Sequence, residues 1–424
     1  MAPRTLAQKL LASHSTTPVT DAELAPGAIV NCKVDMVLAN DVTAPLAIKS
    51  FRQMGAKSVF DRSKIALVMD HFTPQKDIAS AEQVKSIREF AAEQNIEYYF
   101  EGGNCGVEHA LLPELGLVGP GDLVVGADSH TCTYGALGAF ATGMGSTDIA
   151  GAMALGESWF KVPETIRVSY EGELDFHVGG KDLVLWAIGR LGVDGARYKA
   201  LEFDGPVIDA MPVEGRLTMA NMAIEAGGKA GLFAADEATL EYCRAAGRKN
   251  DTPIAPDKDA YYESHISLNV TGMEPLVACP HLPENVRPVS ELGDIAVDQV
   301  IIGSCTNGRI YDLRAAAAIF AGNRVKKGVR CIVLPATPTI WKQALKEGLI
   351  ETMLDAGCII GPPSCGPCLG GHLGILAGGE RALATTNRNF RGRMGSLEAE
   401  VYLANPAVAA ATAIAGVITH PAKI

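Results

Sequence analysis

Positive charge is scarce in this chain. Lys and Arg total 37 against 48 Asp and Glu, a formal charge of −11. That balance argues against nucleic acid or an anionic membrane as the main partner. An anionic metabolite then needs a local cationic pocket, so Arg or Lys is expected at the binding site. Long apolar runs are missing as well. No stretch of about 18 residues escapes charge or turn signals, so no membrane span is expected. The opening segment MAPRTLAQKLLASHS has too little apolar run for a secretory leader and reads as an amphipathic first helix. Low-complexity segments are absent. These absences lead us to expect a cytoplasmic globular protein, in which the ten cysteines serve metal or catalytic roles rather than disulfides.

At 424 residues the chain is too long for one core, and two to four domains are expected at about 100–200 residues each. Its 48% hydrophobic and 20% charged content is ordinary for globular proteins. The 45 glycines point to many tight loops. Strand-like runs alternate with helix-like ones. KIALVMDH is a short apolar run ending in polar residues. SAEQVKSIREFAAEQN follows with Val84, Ile87, Phe90 and Ala91 on one helical face and Ser80 as the expected N-cap. DLVVGADSH, VDQVIIGSCTNG, VRCIVLPAT and GCIIGPPSCG repeat the apolar-then-polar pattern. Ligands of open α/β sheets bind beyond the carboxyl ends of strands. Asp70, His71, Asp128, Ser129, His130, Cys305 and Cys365 all lie just beyond such runs, so four strand ends can converge on one crevice. A new strand begins within KVPETIRVSYEGEL, and the Pro-rich CPHLPENVRPVSEL reads as a linker. We therefore expect three α/β units, at 1–163, 164–285 and 286–424.

GPPSCGPCLGGH holds Cys365 and Cys368 in a bed of Gly and Pro. A thioredoxin-type dithiol would sit near the start of its fold and open a helix. Here too few residues follow Cys368 to complete that fold, and Gly370 and Gly371 disfavour a helix by about 1 kcal/mol each. Structural zinc takes four N or S ligands, usually from two close pairs, and there is no second C-x-x-C. The third reading is a 4Fe–4S cluster. Its candidate third ligand is Cys305, which shares the strand–Gly–Cys design of Cys365. Cys105 and Cys132, in loops near the same crevice, compete for that place. Cys331 and Cys358 read as core.

Seven segments, TLAQKLLASHS, VDMVLANDVTAPLAI, MDHFTP, GADSHTCTYGALGAFATGMGSTD, GSCTNGR, GPPSCGPCLGGH and NRNFRGRMG, occur in an order that resembles the aconitase superfamily along essentially the whole chain. The closest likeness is to its isopropylmalate dehydratase and homoaconitase branch. The resemblance implies three α/β/α domains around a central cluster cleft, without the swivelling fourth domain of full-length aconitases. It implies a 4Fe–4S cluster held by Cys305, Cys365 and Cys368 with one iron open, a centre that loses that iron in air.

The chemistry implied is removal of water from a small hydroxy-dicarboxylate and its re-addition one carbon over. A Lewis-acidic iron polarises the leaving hydroxyl, a nearby acid protonates it, and a base takes the carbon-bound proton. By resemblance, Asp70–His71 and Asp128–His130 are the catalytic acid–His pairs, and Ser129, Arg388 and Arg393 meet substrate. Guanidinium suits carboxylate through its two-pronged fork. Asn387 is expected beside the cluster. Asn221 and Glu225, four apart, are read as sharing one helix face near it. Thr133 stands where aconitases have Asn, and Pro45 where they have a substrate-contacting Gln; both departures favour the isopropylmalate branch over citrate. Homocitrate, homoaconitate or citramalate remain alternative substrates. With no swivelling domain before Ile424, a separate small subunit is expected to supply the catalytic Ser and part of the specificity loop. Iron-responsive RNA binding and thiol oxidoreduction are the rival functions; the charge opposes the first and the context of Cys365 and Cys368 the second.

Overall fold

A computed structural model of the chain describes residues 2–424. Three mainly parallel sheets organise it, and each is wound outward from a first strand and then back past it. The first sheet runs, edge to edge, Tyr98–Phe100, Ile65–Val68, Met36–Asn40, Leu123–Gly126 and Phe140–Gly143, all parallel. The chain reverses its direction of winding between Met36–Asn40 and Leu123–Gly126. The carboxyl ends of such a pair part to leave a crevice, and Asn40 and Asp128 stand there.

The second sheet holds Ala230–Leu232, Ala200–Asp204, Thr165–Glu171 and Ser264–Asn269, again parallel. The third has seven strands, in the order Val286–Pro288, Leu276–Ala278, Glu400–Leu403, Arg381–Ala384, Gln299–Gly303, Arg330–Leu334 and Ile359–Ile360. Its reversal lies between Gln299–Gly303 and Arg381–Ala384, the strands that lead to Cys305 and to Asn387. The inner strands Ile65–Val68, Leu123–Gly126 and Gln299–Gly303 are buried at every position. This is what unbroken apolar runs covered by helices on both faces produce.

Two local expectations are corrected. Asp77, not Ser80, caps helix Ile78–Gln94: its Oδ1 accepts from the Ser80 N–H at 2.8 Å, while the Asp77 N–H donates to Ser80 Oγ at 3.1 Å. Ser80 is thus the third helical residue of a reciprocal capping box. The Pro-rich stretch read as a linker carries strand Val286–Pro288, antiparallel to Leu276–Ala278. It forms the sheet edge, where Pro288 removes no needed ladder donor. The first helix forms as expected, at Leu6–His14, with Thr5 and Gln8 in a capping box.

Gly303 turns the chain sharply into the Cys305 segment. It has φ of +141°, and a Cβ there would meet the Leu334 carbonyl oxygen. Ser304 follows at φ +84°, a left-handed value rare without glycine. The turn aims Cys305 back over the strand ends.

Candidate active site

The crevices of the first and third sheets open into one cavity of about 340 Å³. Its wall includes His71, Glu108, His109, Asp128 and His130 from the first sheet's side. Facing them are Cys305, Cys365, Cys368, Asn387, Arg388 and Arg393 from the third. Arg309 ties the two sides: its guanidinium donates to the Thr306 carbonyl at 3.0 Å and to the His109 carbonyl at 3.2 Å.

All three cysteines are buried. N–H donors stand beside two of the sulfurs, while Cys365 Sγ lies 3.9 Å from Asp70 Oδ2. Asn221 Nδ2 and Asn387 Nδ2 each lie 3.3 Å from Cys305 Sγ, and Arg393 Nη2 lies 3.8 Å from Cys368 Sγ. Burial pushes the Cys305 thiol up to about 12, with Cys368 as a further cause, and Cys365 well above its ordinary value. Thiolates in such a place require a bound cation. Among the described residues, the three sulfurs do not form a group lying within 4.8 Å of one another. A single zinc ion, with Zn–S near 2.3 Å, would draw its sulfurs to about 3.8 Å apart. Three buried sulfurs on one cavity wall, two of them with N–H donors beside them, are a donor set that fits an iron–sulfur cluster, whose thiolates accept such bonds. The rival cysteines do not reach the wall. Cys105 Sγ donates to the Met69 carbonyl at 3.1 Å and Cys132 Sγ to the Asn221 carbonyl at 3.4 Å.

The acid–His side is a connected network. His71 Nδ1 bonds Asp70 Oδ1 at 2.7 Å, and Asp41 accepts from the His71 and Phe72 backbone N–H groups at 3.0 and 2.7 Å. Burial alone would lower His71, but the Cys365 sulfur, Asp70 and Asp41 together hold it well above its ordinary value. Asp128 Oδ1 takes His109 Nε2 at 3.0 Å and the His130 backbone N–H at 2.7 Å. Burial opposes its charge, yet its bonds to both histidines hold it well below the usual carboxylate range. Burial lowers His109. His130 Nε2 reaches Glu225 Oε1 at 2.9 Å. The same oxygen accepts from Arg388 Nε at 2.8 Å, and Arg388 Nη2 donates to Ser129 Oγ at 3.0 Å. One guanidinium thus joins the third sheet's loop to the first sheet's crevice and to the second sheet's Glu225.

Of the residues expected at the site, nine line this wall, and Asp70, Thr133, Asn221 and Glu225 lie behind it. Ser129 does not line it; it lines a neighbouring cavity beside Ala127 and Tyr198, and only its Oγ is tied to the site, through Arg388. Asn221 and Glu225 do not share an α-helix: helix Val213–Asn221 stops at the first, and a 3-10 turn, Met222–Ala226, carries the second. Gly227, at φ +84°, ends the turn. Neither is a surface residue, since both are buried. Thr133 meets no cavity. Its Oγ1 donates to the His130 carbonyl at 2.6 Å and accepts from Asn221 Nδ2 at 2.8 Å, so it positions both. Pro45 sits in the first turn of helix Ala44–Gln53, off the wall; Asn40, Val42 and Thr43, just before it, line the cavity.

The sequence reading passed over Glu108 and His109, at the start of helix Glu108–Glu114, and Asn40 at a strand end. The strand-end rule applied to VDMVLAN would have pointed to Asn40; Glu108 and His109 lie past the end of strand Tyr98–Phe100, beyond the turn Gly102–Asn104. It also passed over Lys181, which is fully buried and donates to the Thr385 carbonyl at 2.8 Å and to that of Thr386, bracing the chain just before Asn387 and Arg388.

A family model described as "Aconitase family (aconitate hydratase)" matches residues 8–294 and 287–416. The 3-isopropylmalate dehydratase large subunit of Nitratidesulfovibrio vulgaris (strain Miyazaki F) is 70% identical over 420 residues, 99% of this chain and 99% of its own length. The 3-isopropylmalate dehydratase large subunit 1 of Pyrococcus abyssi is 60% identical over 422 residues, again 99% of both chains. The crystal structure of Thermococcus kodakaraensis aconitase X, in its holo-form, superposes with a TM-score of 0.50 at 13% identity, covering 93% of this chain and 96% of that one, a likeness of fold. The chain belongs to the aconitase family.

Proposed function

We propose that the chain is the cluster-bearing large subunit of a hydro-lyase that interconverts 2-isopropylmalate and 3-isopropylmalate through the dehydrated diacid, a step of leucine biosynthesis. The observation that carries this reading is the cavity itself: three buried sulfurs, two guanidiniums and a network of carboxylate–histidine pairs face one another. A 4Fe–4S cluster on Cys305, Cys365 and Cys368 would leave one iron without a protein thiolate, available as a Lewis acid to the substrate hydroxyl.

The chain's own residues do the rest. Arg388 and Arg393 bind the substrate carboxylates. Val42 and Leu369 are the aliphatic side chains of the wall and suit a branched alkyl group. Of the three wall histidines, His109 and His130 have both ring nitrogens engaged. His71 has Nδ1 on Asp70, its ring beside the Cys365 sulfur, and no hydrogen bond from Nε2 to a nitrogen or oxygen among the described residues. His71 is therefore the group that delivers a proton to the departing hydroxyl and recovers it on rehydration. Asp128, His130 and Glu225 hold Arg388 in place.

The relatives are named large subunits. We propose a small-subunit partner that closes over the cavity and supplies the base for the carbon-bound proton. No helix among the described residues is long and apolar enough to cross a membrane, and we place the reaction in the cytoplasm. Co-expression with the small subunit, followed by anaerobic assay on 2-isopropylmalate, homocitrate and citramalate, tests the reading. Turnover of 2-isopropylmalate with the highest kcat/KM is expected; a clear preference for homocitrate or citramalate would sink it.

A further inference from the structure

Glu108 is an acid in the wrong place for a charge. It is buried, it lines the cavity proposed to take a dianion, and the carboxyls of Asp70 and Asp128 stand nearby. Its two oxygens differ. Oε1 accepts from Asn40 Nδ2 at 2.9 Å. That amide cannot be turned round, because Asn40 Oδ1 already accepts from the Val42 N–H, the Thr43 N–H and Thr43 Oγ1 at 3.1, 3.1 and 2.9 Å. Oε1 is thus obliged to act as an acceptor. Oε2 is buried and has no partner at all. A lone carboxylate oxygen in that setting is strongly disfavoured, whereas a neutral carboxyl with its hydroxyl at Oε2 loses only one hydrogen bond until a ligand arrives.

We propose that Glu108 works as a neutral carboxylic acid, with Oε1 held by Asn40 and the Oε2 hydroxyl donating to a carboxylate oxygen of the bound substrate. The proposal rests on the functional reading above and adds to it a substrate-contacting donor beside the two guanidiniums. The groups facing Glu108 agree with a neutral state. His109 Nε2, 3.5 Å from Oε1, is already committed to Asp128, and burial keeps His109 from charging. Burial first, then Asp70 and Asp128, drive Glu108 well above the usual carboxylate range; His71 and Asn40 oppose this without reversing it. Arg388 and Arg393 line the same cavity, but neither bonds Glu108 among the described residues. A neutral donor at this point adds to the recognition of an anion without the repulsion that a third carboxylate would bring.

The test compares Glu108→Gln and Glu108→Leu in the cluster-loaded complex with the small subunit. Gln keeps the shape, the acceptor for Asn40 and a neutral donor in place of the hydroxyl. We expect Glu108→Gln to hold kcat/KM for 2-isopropylmalate within about threefold and Glu108→Leu to lose about 10²-fold, the scale on which removing one buried donor acts. A loss in Glu108→Gln as deep as in Glu108→Leu would overturn the proposal, because the ionised form would then be the working one. Equal activity of all three proteins would overturn it too. Infrared difference spectroscopy reads the protonation without turnover: because burial also pushes Glu202 up to about 7, the C=O stretch of a protonated Glu108 is read as a positive band in the wild-type minus Glu108→Gln spectrum at neutral pH. Absence of that difference band refutes a neutral Glu108 even if 2-isopropylmalate is turned over. A wild-type complex that shows the band but turns over no hydroxy-dicarboxylate refutes the functional reading instead.

Discussion

The first and third sheets solve the same topological problem with opposite chemistry. Each reverses its winding beside a central strand, and each opens a crevice at that reversal. The first sheet fills its crevice with carboxylates and imidazoles that hold one another in fixed pairs, Asp70 with His71 and Asp128 with His109 and His130. The third fills its own with sulfur, amide and guanidinium, from Cys305, Cys365, Cys368, Asn387 and Arg388. In the proposed reaction the first sheet's wall would move protons and the third's would hold a cluster and an anion. The second sheet supplies ties: Asn221 reaches Cys305, Glu225 reaches Arg388, and Lys181 braces the chain before Asn387. Fold topology fixes where reactive side chains meet, and the loop residues decide what they do.

Breaking one wall at a time should separate these roles. The largest effect is expected at the proton wall. His71→Asn should lower kcat by about 10²–10⁴-fold, the range of general acid–base catalysis, while iron and sulfide content stay at wild-type levels. Loss of the cluster in this variant would show that the walls are not separable. Arg388→Lys should act more mildly. It removes the Nε and Nη2 bonds to Glu225 and Ser129 and one prong toward substrate. We expect KM to rise about 10- to 100-fold, in line with about 1.5–3 kcal/mol for a hydrogen bond to a charged group. An unchanged KM would remove Arg388 from the binding wall.

The smallest effect lies away from the cavity and serves as a control. His14 Nε2 meets Asp35 Oδ2 at 2.7 Å. Burial pulls the imidazole down, but its bonds to Asp35 and to the Leu10 carbonyl, with the charges of Asp35 and Asp122, together more than offset this, and the net result is a raised value; Asp35 is lowered despite its own burial. The folded state therefore holds the His14 proton more tightly than the unfolded chain does. The stabilisation is complete below His14's ordinary value near 6.5, and it is lost as pH rises through the raised one. Asp35's contribution is present above the ordinary carboxylate value and disappears as pH falls through its lowered one. Denaturant melts at pH 6 and 8 should show a loss of at most about 1 kcal/mol, absent from His14→Gln, with no change in kcat.

The strand ends were legible because apolar runs broken by polar residues mark a buried strand and its exit. That pattern alone placed Asp70, Asp128, Cys305 and Cys365 together. Asn221 and Glu225 were read on one helix because a spacing of four cannot reveal where the helix stops. The stop falls where Asn221 bonds Thr133 and Cys305, a tertiary fact; Gly227 ends only the 3-10 turn that follows. Glu108 and His109 escaped notice because they open a helix of apolar residues, where burial against Asp70 and Tyr134 is a tertiary fact. The edge strand Val286–Pro288 hid behind its prolines, which read as a linker until its hydrogen-bond partner was in view.

The central claim is that Cys305, Cys365 and Cys368, and no other cysteine, hold one iron–sulfur cluster. Iron and sulfide analysis of anaerobically prepared Cys→Ser variants tests it most directly. We predict about four irons per chain in wild type, Cys105→Ser and Cys132→Ser, and loss of the cluster's visible absorption in Cys305→Ser, Cys365→Ser and Cys368→Ser. A full cluster surviving the loss of any of those three, or vanishing with Cys105 or Cys132, would contradict the account.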